Sequence, residues 1–344
     1  MVDENDAVSC AKAVLIIHPG ALGDVLLSRS AIRTIHLKFP QHELIFLADR
    51  SVGSFLLECG EINRFVPIDS SCLTELCAGE EHIHPLFRSW LSRCEYVVGW
   101  LRDPDGAVAA TVQSLGIHNV MVMSPFSPGL RARHQAERYL ETIDGLGCAA
   151  SSFQPLMLPQ RLSAEGPRYL EHVARNDSRP LAIIHPGSGS AHKCMEPWRL
   201  AKLVEWMRGQ GLLPMLLEGP SDLGSVTQLR SLLQRPVAVM RNLDLCTVAA
   251  VLSHATLFVG HDSGITHLAA ALSVPTLACF GPTDSRRWAP LGPNVTTLTG
   301  EPCTCPTWDA VQCCRERKCL HIAPDRMIDG CRMALATRSS APIL

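Results

Sequence analysis

Short apolar runs and longer amphipathic stretches alternate along the chain. Apolar runs occupy residues 14–17, 42–50, 96–100 and 119–124 in the first half. In the second half they recur at 181–184, 212–220, 236–240, 256–262 and 275–282. Runs of this length, bounded by Gly, Pro or charged residues, read as strands buried on both faces of a parallel sheet. The stretches 24–37, 198–209, 222–234, 245–253 and 264–272 carry the wider apolar spacing of crossover helices. Alternating strand and helix patterns of this kind predict an α/β chain built from βαβ units.

The pattern also repeats. VLIIHPGALGDVLLSRSAIRTI (14–35) and LAIIHPGSGSAHKCMEPWRLAKLV (181–204) each run from an apolar strand through His-Pro-Gly into small residues and then a helix. Two Rossmann-like domains in tandem are expected. The chain's 344 residues agree with two cores. The Pro- and Ser-containing stretch 151–167 reads as the linker. The division expected is 1–160 for an N-terminal acceptor-binding domain, 161–325 for a C-terminal nucleotide-sugar domain and 326–344 for a tail. Ligands of such sheets bind beyond the carboxyl ends of the strands, and the cleft between two facing domains is a favoured place for a site.

Composition narrows the function. The net charge of -2 and an aromatic content of 5% supply neither the field nor the stacking surface for nucleic acid. The acidic start lacks the basic region of a signal peptide, and no apolar stretch approaches the roughly 18 residues that span a bilayer. The expectation is a cytoplasmic protein, with peripheral attachment to the inner face of a membrane left open. Fifteen cysteines in such a chain read as reduced thiols, most of them small buried residues.

Three strand-end turns carry candidate chemistry. Asp262, Ser263 and Gly264 stand between a strand and a helix, and His267 follows one turn later. Free N–H groups there suit a diphosphate, and Ser263 adds a hydroxyl; an N-cap at Asp262 or Ser263 is the equally simple alternative. HPGSGSAHK (185–193) offers Ser188, Ser190 and Lys193 in a loop of small residues. It is neither a Walker motif nor a dinucleotide fingerprint, so alone it is weak evidence for phosphate. GALGD (20–24) places Asp24 at a helix start, either as a cap or as a general base aimed at a substrate hydroxyl.

Taken together and in this order, GALGDVLLSRSAIRTI, HPGSGSAHK and GHDSGITHLAAALSVPTLACFGPTD resemble glycosyltransferase family 9, the heptosyltransferases of the lipopolysaccharide inner core. RHQAERYLETIDGLG (133–147) is similar to that family's interdomain segment. The resemblance implies a GT-B fold, two Rossmann-like domains facing each other across a cleft. It also implies inverting sugar transfer without a metal or other cofactor, from a nucleotide-sugar donor such as ADP-heptose to an anionic lipid-linked oligosaccharide. On that resemblance Asp24 is the base and Lys193 neutralises the leaving diphosphate. Ser188, Ser190, Asp262, Ser263, Gly264 and His267 hold the donor, Leu243 meets the adenine, and Asp222 or, failing it, Glu218 binds ribose. Gly20 and Gly23 fall in the acceptor-side turn. Arg131, Arg133 and Arg138 are candidates for the acceptor's anionic groups, against a solvated helix face with a His134/Arg138 pair. Loops 50–54 and 99–106 are expected to shape acceptor choice. One departure stands out: Pro197 and Trp198 come later after Lys193 than the family's Trp-Pro.

Two other functions fit the sequence less well. A non-catalytic nucleotide-sugar-binding protein has no need of both Asp24 and Lys193. An oxidoreductase needs a dinucleotide fingerprint that neither turn supplies. Cys303, Cys305, Cys313, Cys314 and Cys319 crowd one stretch, but no CxxC pair is present. They are expected to be reduced, partly packed thiols without a metal.

Overall fold

The computed structural model describes residues 11–125, 133–147, 151–174 and 177–338. These fall into two units. One comprises residues within Met1–Ala21, Ser28–Leu130 and Ala136–Ser152; the other comprises residues within Leu22–Leu27, Arg131–Gln135 and Phe153–Leu344.

The first unit is a five-stranded parallel sheet of β1 (Ala13–His18), β2 (Glu43–Ala48), β3 (Arg64–Pro67), β4 (Cys94–Gly99) and β5 (Asn119–Val122). Its order is β3-β2-β1-β4-β5, so the chain reverses its direction across the sheet between β1 and β4. β1 is buried at every position, as a central strand covered on both faces must be. Ile17, Leu47, Val66 and Val97 share one core with Phe87 and Trp90. The expected strand 42–50 ends earlier, at Ala48, because Asp49 caps the next helix. Its carboxylate accepts from Ser51 N–H at 2.9 Å and Val52 N–H at 3.2 Å. The expected loop 50–54 is therefore the first turn of helix Arg50–Glu58.

The second unit is a six-stranded parallel sheet of β6 (Leu181–His185), β7 (Leu213–Glu218), β8 (Ala238–Arg241), β9 (Leu257–His261), β10 (Thr276–Phe280) and β11 (Val295–Thr299). The order β11-β10-β9-β6-β7-β8 puts the reversal between β6 and β9. Strand ends diverge there, which opens a crevice at the carboxyl edge. Two strands were not legible in the sequence: β3 has four residues and ends in Pro, and β11 is mostly Thr. The expected tail also differs. Pro324–Arg338 is a helix, and its Met327, Cys331 and Ala334 lie fully buried in the second core beside Leu277 and Cys279.

Candidate active site

The loops after β6 and β9 meet at the reversal point of the second sheet. The Ser188 hydroxyl donates to the Asp262 carbonyl at 2.6 Å, tying one loop to the other. Lys193 Nζ bonds Asp262 Oδ2 at 2.8 Å, and the Thr283 hydroxyl donates to the same oxygen at 2.7 Å. Lys193 keeps 24% of its side-chain surface while Asp262 keeps 10%, so the lysine is the accessible partner. Its ammonium also lies 5.9 Å from the Trp308 ring.

Ser263 caps helix Gly264–Ala271, accepting from Thr266 N–H at 3.4 Å. The cap predicted from the sequence is thus Ser263 rather than Asp262. It does not compete with an anion site, since a helix opening has several N–H groups and the cap engages one. The Thr266 hydroxyl donates to His261 O at 2.5 Å. Behind the cap, His185 bridges Ser263 Oγ (3.2 Å from Nδ1) and Asp222 Oδ2 (2.8 Å from Nε2). Asp, His and Ser in that order also form a hydrolase relay. Here the serine oxygen serves a helix cap and Asp222 is 4% exposed, so the chain braces three strand ends.

Asp222 therefore has a different job from the ribose contact expected of it. Gly219 N–H also donates to its Oδ2 at 2.8 Å. Burial pulls its acidity down, but the hydrogen bond and charge of His185 and the Gly219 N–H outweigh this, and its pKa is lowered. A Cβ on Gly187 would sit 1.7 Å from Asp222 Oδ1, so the brace requires glycine in the loop. Glu218, the other candidate acid, pairs through Oε1 with Arg241 at 3.1 Å, while its buried Oε2 has no hydrogen-bond partner among the described residues.

Two buried histidines are held neutral. His261 Nε2 accepts from Met195 N–H at 3.1 Å, so Nδ1 carries the proton and faces Gly187 O at 3.3 Å. Burial pushes its pKa down to about 4, with His185 adding to the effect. Burial likewise takes His267 to about 4; the Asp262 charge opposes this, and His134 and Lys193 reinforce it.

The opening of helix Leu22–Lys38 belongs to this same unit. A Cβ on Gly264 would lie 2.9 Å from Leu22 Cβ and 3.2 Å from Gly23 N. One on Gly23 would lie 3.2 Å from the His267 ring. Gly23 of GALGD and Gly264 of DSG thus let two helix starts touch. Asp24, half-buried in the first turn of its helix, stands one residue beyond that contact.

Of the remaining expected residues, Ser190 stays in the Lys193 loop and the others are dispersed. Ser190 caps the turn Ala191–Lys193 through His192 N–H at 3.3 Å. Leu243 is half-buried between β8 and helix Leu245–Leu252. Gly20 N–H donates to His18 Nδ1 at 3.2 Å. Arg131 lies outside the described residues, and Arg133 is exposed. Arg138 is not on a solvated face: it is 1% exposed and donates to Met123 Sδ at 3.3 Å. Sequence alone gives His185, His261, Thr266 and Thr283 no role, although His261 stands in the same turn as Asp262. His185 was visible as the shared IIHPG histidine, but its Asp222 partner lies 37 residues away.

Two parallel α/β sheets, with a lysine and a helix start at the strand reversal of the second, define an α/β protein with a site whose chemistry suits an anion. Residues 133–317 match the profile of "Glycosyltransferase family 9 (heptosyltransferase)", and the chain belongs to that family. Lipopolysaccharide heptosyltransferase 3 of Escherichia coli is 28% identical over 37% of this chain; the match spans 38% of that relative's length. Lipopolysaccharide heptosyltransferase 2 of Salmonella typhimurium is 24% identical, over 81% of this chain and 85% of the relative. The structure of E. coli ADP-heptose lps heptosyltransferase II superposes with a TM-score of 0.66 at 18% identity, covering 95% of this chain and 100% of that one. The fold is GT-B type. Among the described residues no helix is long and apolar enough to cross a membrane.

Proposed function

We propose that the chain is an inverting heptosyltransferase that moves heptose from ADP-heptose to an anionic, lipid-linked oligosaccharide of the lipopolysaccharide core. The observation that carries this reading is the seat at the β6/β9 reversal, where Lys193 and the N-terminus of helix Gly264–Ala271 converge on one crevice. Family membership and the names of the relatives support the sugar and the acceptor.

In this mechanism the acceptor hydroxyl attacks the anomeric carbon from the face opposite ADP. The new C–O bond forms as the bond to the β-phosphate oxygen breaks, and that oxygen leaves with the electron pair. Asp24 takes the hydroxyl proton. Lys193 exchanges Asp262 for the diphosphate and, with the helix N–H groups, stabilises its growing charge without a metal. Ser188, Ser190, Ser263, Gly264 and His267 shape the seat, and Leu243 borders the adenine. Glu218, whose Oε2 is unpartnered, takes the ribose in preference to the engaged Asp222. Arg131 and Arg133 remain the acceptor-side candidates, while the buried Arg138 is set aside. The enzyme works at the cytoplasmic face of the membrane that carries its acceptor.

The test is transfer from ADP-heptose to a purified heptose-deficient core acceptor. Wild type should form product while Asp24→Ala loses at least about 10²-fold in kcat and binds ADP as before. Normal turnover by Asp24→Ala removes the base assignment. No product from any core acceptor with intact ADP binding removes the acceptor assignment.

A further inference from the structure

Five of the fifteen cysteines lie between residues 303 and 319. The fold gathers four of them. After β11, Gly300 N–H donates to Cys319 O at 3.0 Å and Glu301 N–H to Lys318 O at 3.3 Å. A Cβ on Gly300 would lie 2.6 Å from Lys318 O, so this close pairing of the two segments needs glycine. It closes Cys303, Cys305, Cys314 and Cys319 around one pocket of about 190 Å³. The Cys305 thiol lies against those of Cys303 and Cys314. Spacing along the chain did not reveal this, because the contacts depend on the 300/319 pairing.

The four thiols are not equivalent. Helix Trp308–Cys313 ends at Cys314, and Arg317 follows in the left-handed region with φ 43°. That turn aims the Arg317 and Glu316 N–H groups at the Cys314 sulfur, a small anion-holding nest. We propose that Cys314 and Cys305 are a peroxide-reactive pair, with Cys314 as the attacking thiolate and Cys305 as the resolving thiol. The Arg317 N–H, with the Cys305 thiol and Glu316 N–H behind it, lowers the Cys314 pKa. Burial and its neighbouring thiols push Cys305 up to about 11, keeping its proton on. Cys314 sulfur attacks one peroxide oxygen, the O–O bond breaks, and hydroxide leaves with the electron pair, giving a sulfenic acid. The Cys305 sulfur then displaces the sulfenic oxygen, which departs as water with the Cys305 proton, and a disulfide forms. Two thiol electrons per sulfur pair reduce one peroxide.

The segment also touches the Lys193 loop. Arg317 Nη1 donates to Ala191 O at 3.5 Å, and Trp308 sits beside the Lys193 ammonium. A Cys305–Cys314 bond would restrain the turn that carries Arg317, and oxidation is expected to change anion binding at Lys193; this consequence, unlike the thiol chemistry, rests on the donor reading above.

The experiment treats the reduced full chain with hydrogen peroxide and maps thiols by peptide mass spectrometry, with dimedone present to trap sulfenic acid. Wild type should form the Cys305–Cys314 disulfide. Cys305→Ser should accumulate the dimedone adduct on Cys314, and Cys314→Ser should leave Cys305 reduced. Exposed Cys313, next in the chain, is the internal control and should react later. Adducts appearing first on Cys313 or elsewhere, or a Cys303–Cys319 bond formed before the proposed one, overturn the pair. So does a reduced protein whose thiols resist alkylation until a chelator strips a metal. ADP affinity is then compared between the reduced and oxidised forms. A several-fold loss restored by dithiothreitol supports the link to Lys193; unchanged affinity in fully disulfide-bonded protein refutes it. Failure of the reduced protein to bind ADP counts instead against the donor reading and leaves the mapping result standing.

Discussion

Single residues in the second unit show how much of the site is built from groups with no freedom to change. His261 and His267 are neutral in the fold, with pKa values pushed by burial from 6.5 to about 4. Unfolded, each takes up a proton near pH 6.5. Between pH 6.5 and 4 the unfolded chain therefore holds the extra proton, and stability falls as pH falls. Their contribution is whole above 6.5 and is lost toward 4, at up to about 1.4 kcal/mol per pH unit for each histidine. Urea denaturation from pH 7.5 to 5 should show this decline, and His261→Gln, less stable at pH 7.5, should show a shallower one. An equal slope in the variant would mean that His261 is not the buried neutral group described. Gly187→Ala makes a sharper prediction, since its Cβ would overlap Asp222. The carboxylate must leave His185 or the loop must move, at about 1–3 kcal/mol of stability and with at least a tenfold loss of ADP affinity. Thermal melts and ADP titration check it; values near wild type would mean that the brace is not tight. None of this was legible in the sequence. The turns announced Ser188, Lys193, Asp262 and Ser263, but hydrogen bonds over 37 to 78 residues decide what each side chain does.

At the scale of elements, the sequence was read most reliably where burial imposes a pattern. β1, β6, β9 and β10 are buried along their whole length, and each had been visible as an apolar run. Helices 198–209 and 264–272 were placed within one residue at each end. Of the four edge strands, β5 and β8 were legible because their half-buried positions still carry an apolar run, whereas β3, with Arg and Pro at its ends, and β11, mostly Thr, carry none. The last helix escaped for another reason. Its apolar positions are few and mixed with Asp, Arg and Gly, so only the fold shows that Met327, Cys331 and Ala334 complete the second core. Met327→Ala should accordingly destabilise the protein by about 2–5 kcal/mol in urea denaturation. A cost below about 0.5 kcal/mol, typical of surface changes, would show that the helix is a dispensable tail after all. The strand order matters most for function. Reversal between β6 and β9 is what converts two separately weak turns into one seat.

For the whole molecule, the two α/β units and the family match agree with the architecture expected from the internal IIHPG repeat. The acceptor side stays the less legible half. Arg138, a candidate from its charge, is buried with its guanidinium on Met123, and Asp24 is proposed from its motif and its place in the first turn of a helix. Donor recognition is where sequence, fold and relatives converge, so it is the point at which the account is most exposed. The most direct measurement is ADP binding by titration calorimetry to wild type and Lys193→Ala, with UDP, GDP and CMP as competitors. The account predicts that ADP binds wild type in preference to the others and loses at least tenfold, about 1.4 kcal/mol, in Lys193→Ala. Equal affinity in that variant, or tighter binding of another nucleotide, would contradict it.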